Sequence, residues 1–150
     1  MNEKEVNELR FCHSYLIRLL DRMNELPEEQ SKKILEECSL CHFIENNMEE
    51  QLTQFIGDID ALLDFLKSQW GWLITYDRES GRITADEGKS QCICPIVTLS
   101  ANGEASPNLC HCSEGFAKRM FSMVVGREVR TKIKTSILRG DDSCVYEIQL

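Results

Sequence analysis

Val129-Arg130-Thr131-Lys132-Ile133-Lys134-Thr135-Ser136-Ile137 alternates branched side chains with charged or polar ones. A period of two places successive side chains on opposite faces of a strand, so this run reads as a half-buried β-strand. Downstream, Arg139-Gly140-Asp141-Asp142 has turn chemistry. Beyond it, Cys144, Tyr146, Ile148 and Leu150 share one face of a last strand, which is the apolar one. Upstream, Gly126 suits the end of a helix. That helix reads back to Ser113, a residue able to cap it, with Phe116, Met120, Met123 and Val124 toward the core. Cys92 to Leu99 reads as a further strand, entering a loop that contains Asn102-Gly103 and Ser106-Pro107-Asn108. Trp72 to Tyr76 and Arg82 to Ala85 flank the polar turn Asp77-Arg78-Glu79-Ser80-Gly81 and form a hairpin.

The period changes in the first half. Val6, Leu9, Leu16, Leu19, Leu20 and Met23 recur at helical spacing. Pro27-Glu28-Glu29 opens a second helix, with proline in the first turn and acids at the positive end of the dipole. Its stripe is Ile34, Leu35 and Cys38. A third helix is expected over about Glu45 to Lys67, with Met48, Leu52, Phe55, Ile59, Leu62 and Leu66 on one face. The fold class is therefore α+β: N-terminal helices followed by an antiparallel sheet with one inserted helix. One domain is expected over residues 1–150, helical over 1–68 and sheet plus helix over 69–150.

The 150 residues are 42% hydrophobic and 28% charged, ordinary values for a globular chain. The net charge is −8. Residues 1–112 hold ten basic and twenty acidic side chains, and residues 113–150 hold seven and five. An acidic chain without a basic stripe repels phosphate backbones, so no nucleic-acid partner is expected. The start, MNEKEVNELR, lacks the apolar core of a secretory leader. No stretch reaches the length of a membrane span, because Asp60 and Asp64 break the most apolar one. A reducing cytoplasm is the expected setting.

Eight cysteines stand out in that setting. Six fall in clusters: Cys38-x-x-Cys41, Cys92-x-Cys94-Pro95 and Cys110-His111-Cys112. Cys12 and Cys144 stand apart, and each of His13, His42 and His111 follows a cysteine. Clustered thiols in a reducing compartment point to metal binding or redox work rather than structural bridges. Cys38-x-x-Cys41 suits zinc, an iron–sulfur cluster or a dithiol, but it closes a helix rather than opening one, which disfavours thioredoxin-like chemistry. Two thiols packed between helices is the plainer reading of that pair. No Ser-His-Asp set or carboxylate pair is evident, so a catalytic residue is not assigned.

The run Cys110-His111-Cys112-Ser113-Glu114-Gly115-Phe116, followed by Gly126, a strand and Gly140-Asp141-Asp142-Ser143-Cys144-Val145-Tyr146-Glu147-Ile148, resembles the 4-vinyl reductase domain. This small-molecule-binding module shares its fold with subunits of the TRAPP trafficking complex. The chain is also similar to cysteine-rich uncharacterised bacterial proteins on that fold. The resemblance covers 110–150 in motif and about 70–150 in topology. It implies a zinc ligated by cysteine: Cys110 or Cys112 matches the first ligand of related sensor domains and Cys144 the last. The two strand ligands are replaced here by Ile133 and Ser136. With Cys92 and Cys94 in their place, the expected set is Cys92, Cys94, Cys110, Cys112 and Cys144, a closed structural site if four converge. Cys38 and Cys41 form a second pair.

Beside it the resemblance implies a pocket for a small apolar or aromatic ligand. Trp72, Tyr76, Phe116, Met120 and Tyr146, with Trp70, are the side chains available to line it, ordinary core packing being the plainer reading of aromatics at such positions. A binding or sensor module is thus the first functional expectation. A small hydrolase using a Cys/His pair or metal-activated water is the second, and an iron–sulfur or dithiol redox protein the third. The trafficking subunits also suggest a homodimer through the N-terminal helices.

Overall fold

The computed structural model describes residues 1–99 and 105–150. Helix α1 spans Glu3–Met23 and α2 spans Glu28–Glu45, followed by α3 over Met48–Thr53 and α4 over Ile59–Phe65. A π-helical turn over Leu66–Trp70 leads to β1, Leu73–Asp77, and β2, Arg82–Asp86. The short α5 covers Pro95–Thr98, α6 covers Cys110–Val125, and β3, Arg130–Thr135, and β4, Val145–Gln149, close the chain. The strands form one antiparallel sheet in the order β1-β2-β4-β3. The α+β class expected from the sequence is the one found.

Alternation accounts for the sheet. Ile83 and Ala85 of β2, Ile133 of β3, and Tyr146 and Ile148 of β4 are buried on one face, while Arg130, Lys132 and Lys134 are exposed on the other. Helix α6 covers the buried face with Ala117, Met120, Phe121 and Val124, each at most 1% exposed. Each such side chain, fully buried, stabilises the fold by about 1.5–3 kcal/mol, and somewhat less for alanine. Residues of α3 and α4 complete this core. A second, smaller core lies under α1, where Leu20 and Met23 meet Leu35, Val97, Leu109 and Cys112. No helix among the described residues is long and apolar enough to cross a membrane.

Five local expectations are corrected. The expected third helix is broken, because Asn47 and Gly57 take positive φ and the Gly57 amide donates to the Val124 carbonyl at 2.8 Å instead of continuing the helix. Asp58 then caps α4 through the Ala61 amide. Cys92 to Leu99 is not a strand: Pro95 starts the short α5, and the segment has no sheet partner among the described residues. Helix α6 begins at Cys110, since the Ser106 hydroxyl caps a 3₁₀ turn over Pro107–Leu109 that runs into it, leaving Ser113 within the helix. The strand ending at Ile137 is shortened by a bulge near Thr135, and Ser136 is fully buried. On α1, Leu9 and Leu19 are exposed rather than part of a packed stripe. The Asn102-Gly103 turn lies outside the described residues.

Helices α2 and α6 touch backbone to backbone at Gly115. A Cβ there would lie 2.7 Å from both Cα and the carbonyl oxygen of Glu36, and 2.9 Å from Ser39 Oγ. Backbone has little room to yield. Gly115→Ala is therefore expected to destabilise the fold by about 1–3 kcal/mol despite alanine's better helix propensity. An unchanged urea midpoint would show that the two helices separate freely.

Candidate functional site

The sheet, α6, the C-terminal end of α2, α3 and the segment 87–95 enclose a cavity of about 560 Å³. Ligand pockets fall in the range of roughly 300–1,000 Å³. Cys110, Ser113, Phe116 and Ala117 come from one side of α6, Ile133 from β3, and Cys144 and Tyr146 from the last strand region. Met48, Trp72 and Leu138 add apolar surface, while His42, Asn46, Gln51, Gln69 and Lys89 carry the polar groups nearer solvent.

Aromatic packing fixes the wall. The rings of Trp72 and Tyr146 stack with centroids 5.8 Å apart and 11° between planes, and Trp70 meets Trp72 edge-on at 5.7 Å. Phe116 is held by Phe43 and His42 of α2. The Tyr146 hydroxyl donates to Glu87 Oε1 at 2.8 Å, and the Glu87 amide donates to the Cys144 carbonyl at 3.0 Å. Burial pushes the Glu87 carboxyl above the usual carboxylate range, against the hydrogen bond from Tyr146. Burial, reinforced by Glu87, also raises the Tyr146 phenol well above its ordinary value.

The thiols divide between two places. Cys92, Cys94, Cys110 and Cys144 line the cavity, and Cys110 Sγ lies 2.9 Å from Ser136 Oγ in a hydrogen bond. Cys112 turns away into the second core, where burial and then the neighbouring thiols of Cys94, Cys38, Cys41 and Cys110 push it up to about 12. Burial also raises Cys92, Cys110 and Cys144. Cys12, Cys38 and Cys41 are exposed. Among the described residues no three Cys, His, Asp or Glu side chains are grouped so as to hold a metal ion. The five expected zinc ligands are therefore not drawn into one centre in this structure.

Of the expected pocket residues, Trp72, Phe116 and Tyr146, together with Trp70, line the cavity. Met120 sits in the closed core one turn beyond Phe116. Tyr76 lies four residues beyond Trp72, roughly 13 Å along the strand, paired with Ile83 and under the Arg78 guanidinium. His42 and Ser136, noted in the sequence for other reasons, and Glu87 and Lys89, not singled out there, also line the cavity. Glu87 had a legible signal, since it continues the buried phase of Ile83 and Ala85. A carboxylate in register with a core face marks a pocket or an ion pair.

A second polar group stands behind the cavity. Glu114, 1% exposed, receives Lys32 Nζ of α2 on Oε1 at 2.5 Å and the Ile133 amide of β3 on Oε2 at 3.3 Å. His111 Nδ1 lies 3.5 Å from Oε2, within ion-pair range but without a hydrogen bond. Burial opposes the Glu114 charge, but His111, Lys32 and the Ile133 amide outweigh it and hold its pKa below the ordinary range. A depressed carboxylate gives stability that is present above the unfolded-state pKa and lost as pH falls through the folded one. Glu114→Gln should thus cost about 3 kcal/mol at pH 7, the lower end for breaking a buried pair, because Lys32 reaches water. It should also flatten the acid side of the stability curve below about pH 4.5. Parallel acid-side slopes in the two proteins would refute the assignment.

No protein-family model matches the chain, and no curated protein matches it. Among solved structures it is similar to a trafficking protein particle complex subunit 3 from Naegleria fowleri, covalently bound to palmitic acid. The TM-score is 0.53 at 13% identity, covering 99% of this chain and 96% of that one. The likeness is one of fold: this chain has the fold of a TRAPP-complex subunit, as the resemblance of its closing strands implied.

Proposed function

We propose that this chain is a non-enzymatic binding module that holds a small apolar molecule or acyl chain in the cavity between α6 and the sheet. The observation that carries this reading is the cavity itself: about 560 Å³, walled by Trp72, Phe116, Ile133, Tyr146 and four thiols, with polar groups toward solvent. The palmitic acid bound to the fold neighbour supports an extended apolar occupant. The Cys/His form of the hydrolase reading needs a thiolate, and burial drives Cys110, Cys112 and Cys144 toward the neutral thiol. His111, its other member, is turned to Glu114.

The test uses n-decanol as probe and the emission of Trp70 and Trp72 as readout. Binding should quench that emission and raise the melting temperature, by about 2.7 kcal/mol of stability at a hundredfold excess over Kd. Ser113→Phe, which fills the cavity from α6, should abolish both effects while the protein stays folded. Quenching that survives in this variant would place the probe elsewhere.

Zinc is kept as a second reading because four of the five expected thiols line this one cavity. A homodimer through α1 and α2 belongs to the same proposal, since Phe11 and Tyr15 on α1 are 70% and 64% exposed and Ile44 on α2 is 60% exposed. Native mass spectrometry of the untagged protein, prepared without reductant exchange, reads all three. The expected species is a dimer carrying an organic ligand. One zinc per chain would instead establish a rearranged thiol site, iron with a visible band would move the protein to the redox class, and a bare monomer would remove the dimer.

A further inference from the structure

The polar end of the ligand is legible in the cavity wall. Glu87 follows β2, and its side chain continues the inward phase of Ile83 and Ala85. Its amide is tied to the Cys144 carbonyl and its Oε1 accepts from Tyr146, so the carboxyl is fixed against the aromatic wall. Glu87 forms no ion pair among the described residues. The nearby cation of the rim, Lys89, directs its Nζ to the Trp70 carbonyl at 3.4 Å. The half-buried Glu87 carboxyl lines the cavity, and no described residue donates a hydrogen bond to its second oxygen, which a ligand in the cavity can reach. Resting on the reading of this cavity as a ligand pocket, we propose that Glu87, oriented by Tyr146, receives the ammonium group of an apolar amine, and that the site prefers such a ligand to an equally long carboxylate.

Four features point the same way. A carboxylate ligand would bring like charge beside Glu87, with little water to screen it. The faces of Trp70, Trp72 and Phe116 carry negative potential, which attracts an organic cation and repels an anion. The thiols of Cys92 and Cys144 supply no positive charge. The chain as a whole carries −8, so its long-range field draws cations toward the cavity mouth.

The experiment compares n-decylamine, n-decanol and n-decanoate, each below its micelle concentration, by tryptophan quenching and calorimetry on the full chain. Decylamine should bind about tenfold or more tightly than decanoate, the size of a hydrogen bond to a charged group. Glu87→Gln keeps the side-chain shape and should remove that preference, weakening decylamine by a much larger factor than decanol. Tyr146→Phe, which frees the carboxyl to rotate, should weaken decylamine by a smaller factor. Both variants are first checked for a cooperative melt. Decanoate binding as tightly as decylamine, or Glu87→Gln leaving decylamine affinity intact, would overturn the assignment of Glu87 while sparing the pocket. Failure of all three probes to bind would overturn the pocket reading beneath it.

Discussion

The close approach of α2 to α6 at Gly115 is the contact on which the rest of the molecule hangs. Only a residue without a side chain lets Glu36 and Ser39 sit against the α6 backbone. That approach brings Lys32 within reach of Glu114, the next residue along. Glu114 in turn accepts from the Ile133 amide, and its own carbonyl accepts from Thr131 Oγ1, so one residue sets the distance between α2, α6 and β3. A charged group buried this deeply stays ionised only when its lone pairs are filled. Here the Lys32 ammonium pairs with Oε1 and the Ile133 amide donates to Oε2, two neighbouring elements meeting one carboxylate, which makes the pair a constraint on register as much as a source of stability.

The cavity follows from that constraint. With α6 held to α2 by the Lys32–Glu114 pair and by Arg119, which donates to Ser39 Oγ at 2.9 Å, the stretch of α6 that carries Ser113 and Phe116 and the end of α2 leave a space over the sheet. Phe43 and His42 hold Phe116 on one side, and the Trp72–Tyr146 stack holds the other. A space lined by two rigid aromatic groups cannot collapse by small side-chain shifts, because close-packed interiors transmit strain rather than flow. An apolar space of this size, open to water on one side, is costly to leave filled with water and is relieved by an apolar occupant.

Much of this was legible in the sequence where the signal was local. Period-two alternation over Val129–Thr135 and the shared face of Cys144, Tyr146 and Ile148 gave the strands, and Gly126 marked the end of α6. The errors fell where a tertiary contact overrode a local one. The long third helix failed because Gly57 bonds to Val124 across the fold, a partner the local spacing does not reveal. Cys92 to Leu99 had the composition of a strand, but Pro95 is set to start a helix, and the Thr98 and Leu99 amides bond back to the Cys94 and Pro95 carbonyls instead of to a neighbouring strand. The site was half legible for a related reason. Aromatic residues announced a wall, but which of them face the cavity depends on how far along each element the cavity extends, which excluded Tyr76 and Met120. Glu87 was missed although its phase with Ile83 and Ala85 was there to be read.

The cysteines show how burial decides chemistry that spacing leaves open. In the sequence, two Cys-x-Cys motifs and Cys144 look like a ligand set. In the fold, Cys110 and Cys112 sit on different faces of one helix, so the pair is split between the cavity and the second core. A thiol becomes a metal ligand or nucleophile as a thiolate, and charge in an apolar wall is opposed by desolvation unless a cation compensates it. The cationic side chains near these thiols are few, and the nearest acid, Glu87, acts against ionisation of Cys92 and Cys144. Neutral thiols behave as small, polarizable apolar groups. In that state they widen the cavity relative to leucine or methionine and leave Glu87 as the carboxyl group that lines it among the described residues.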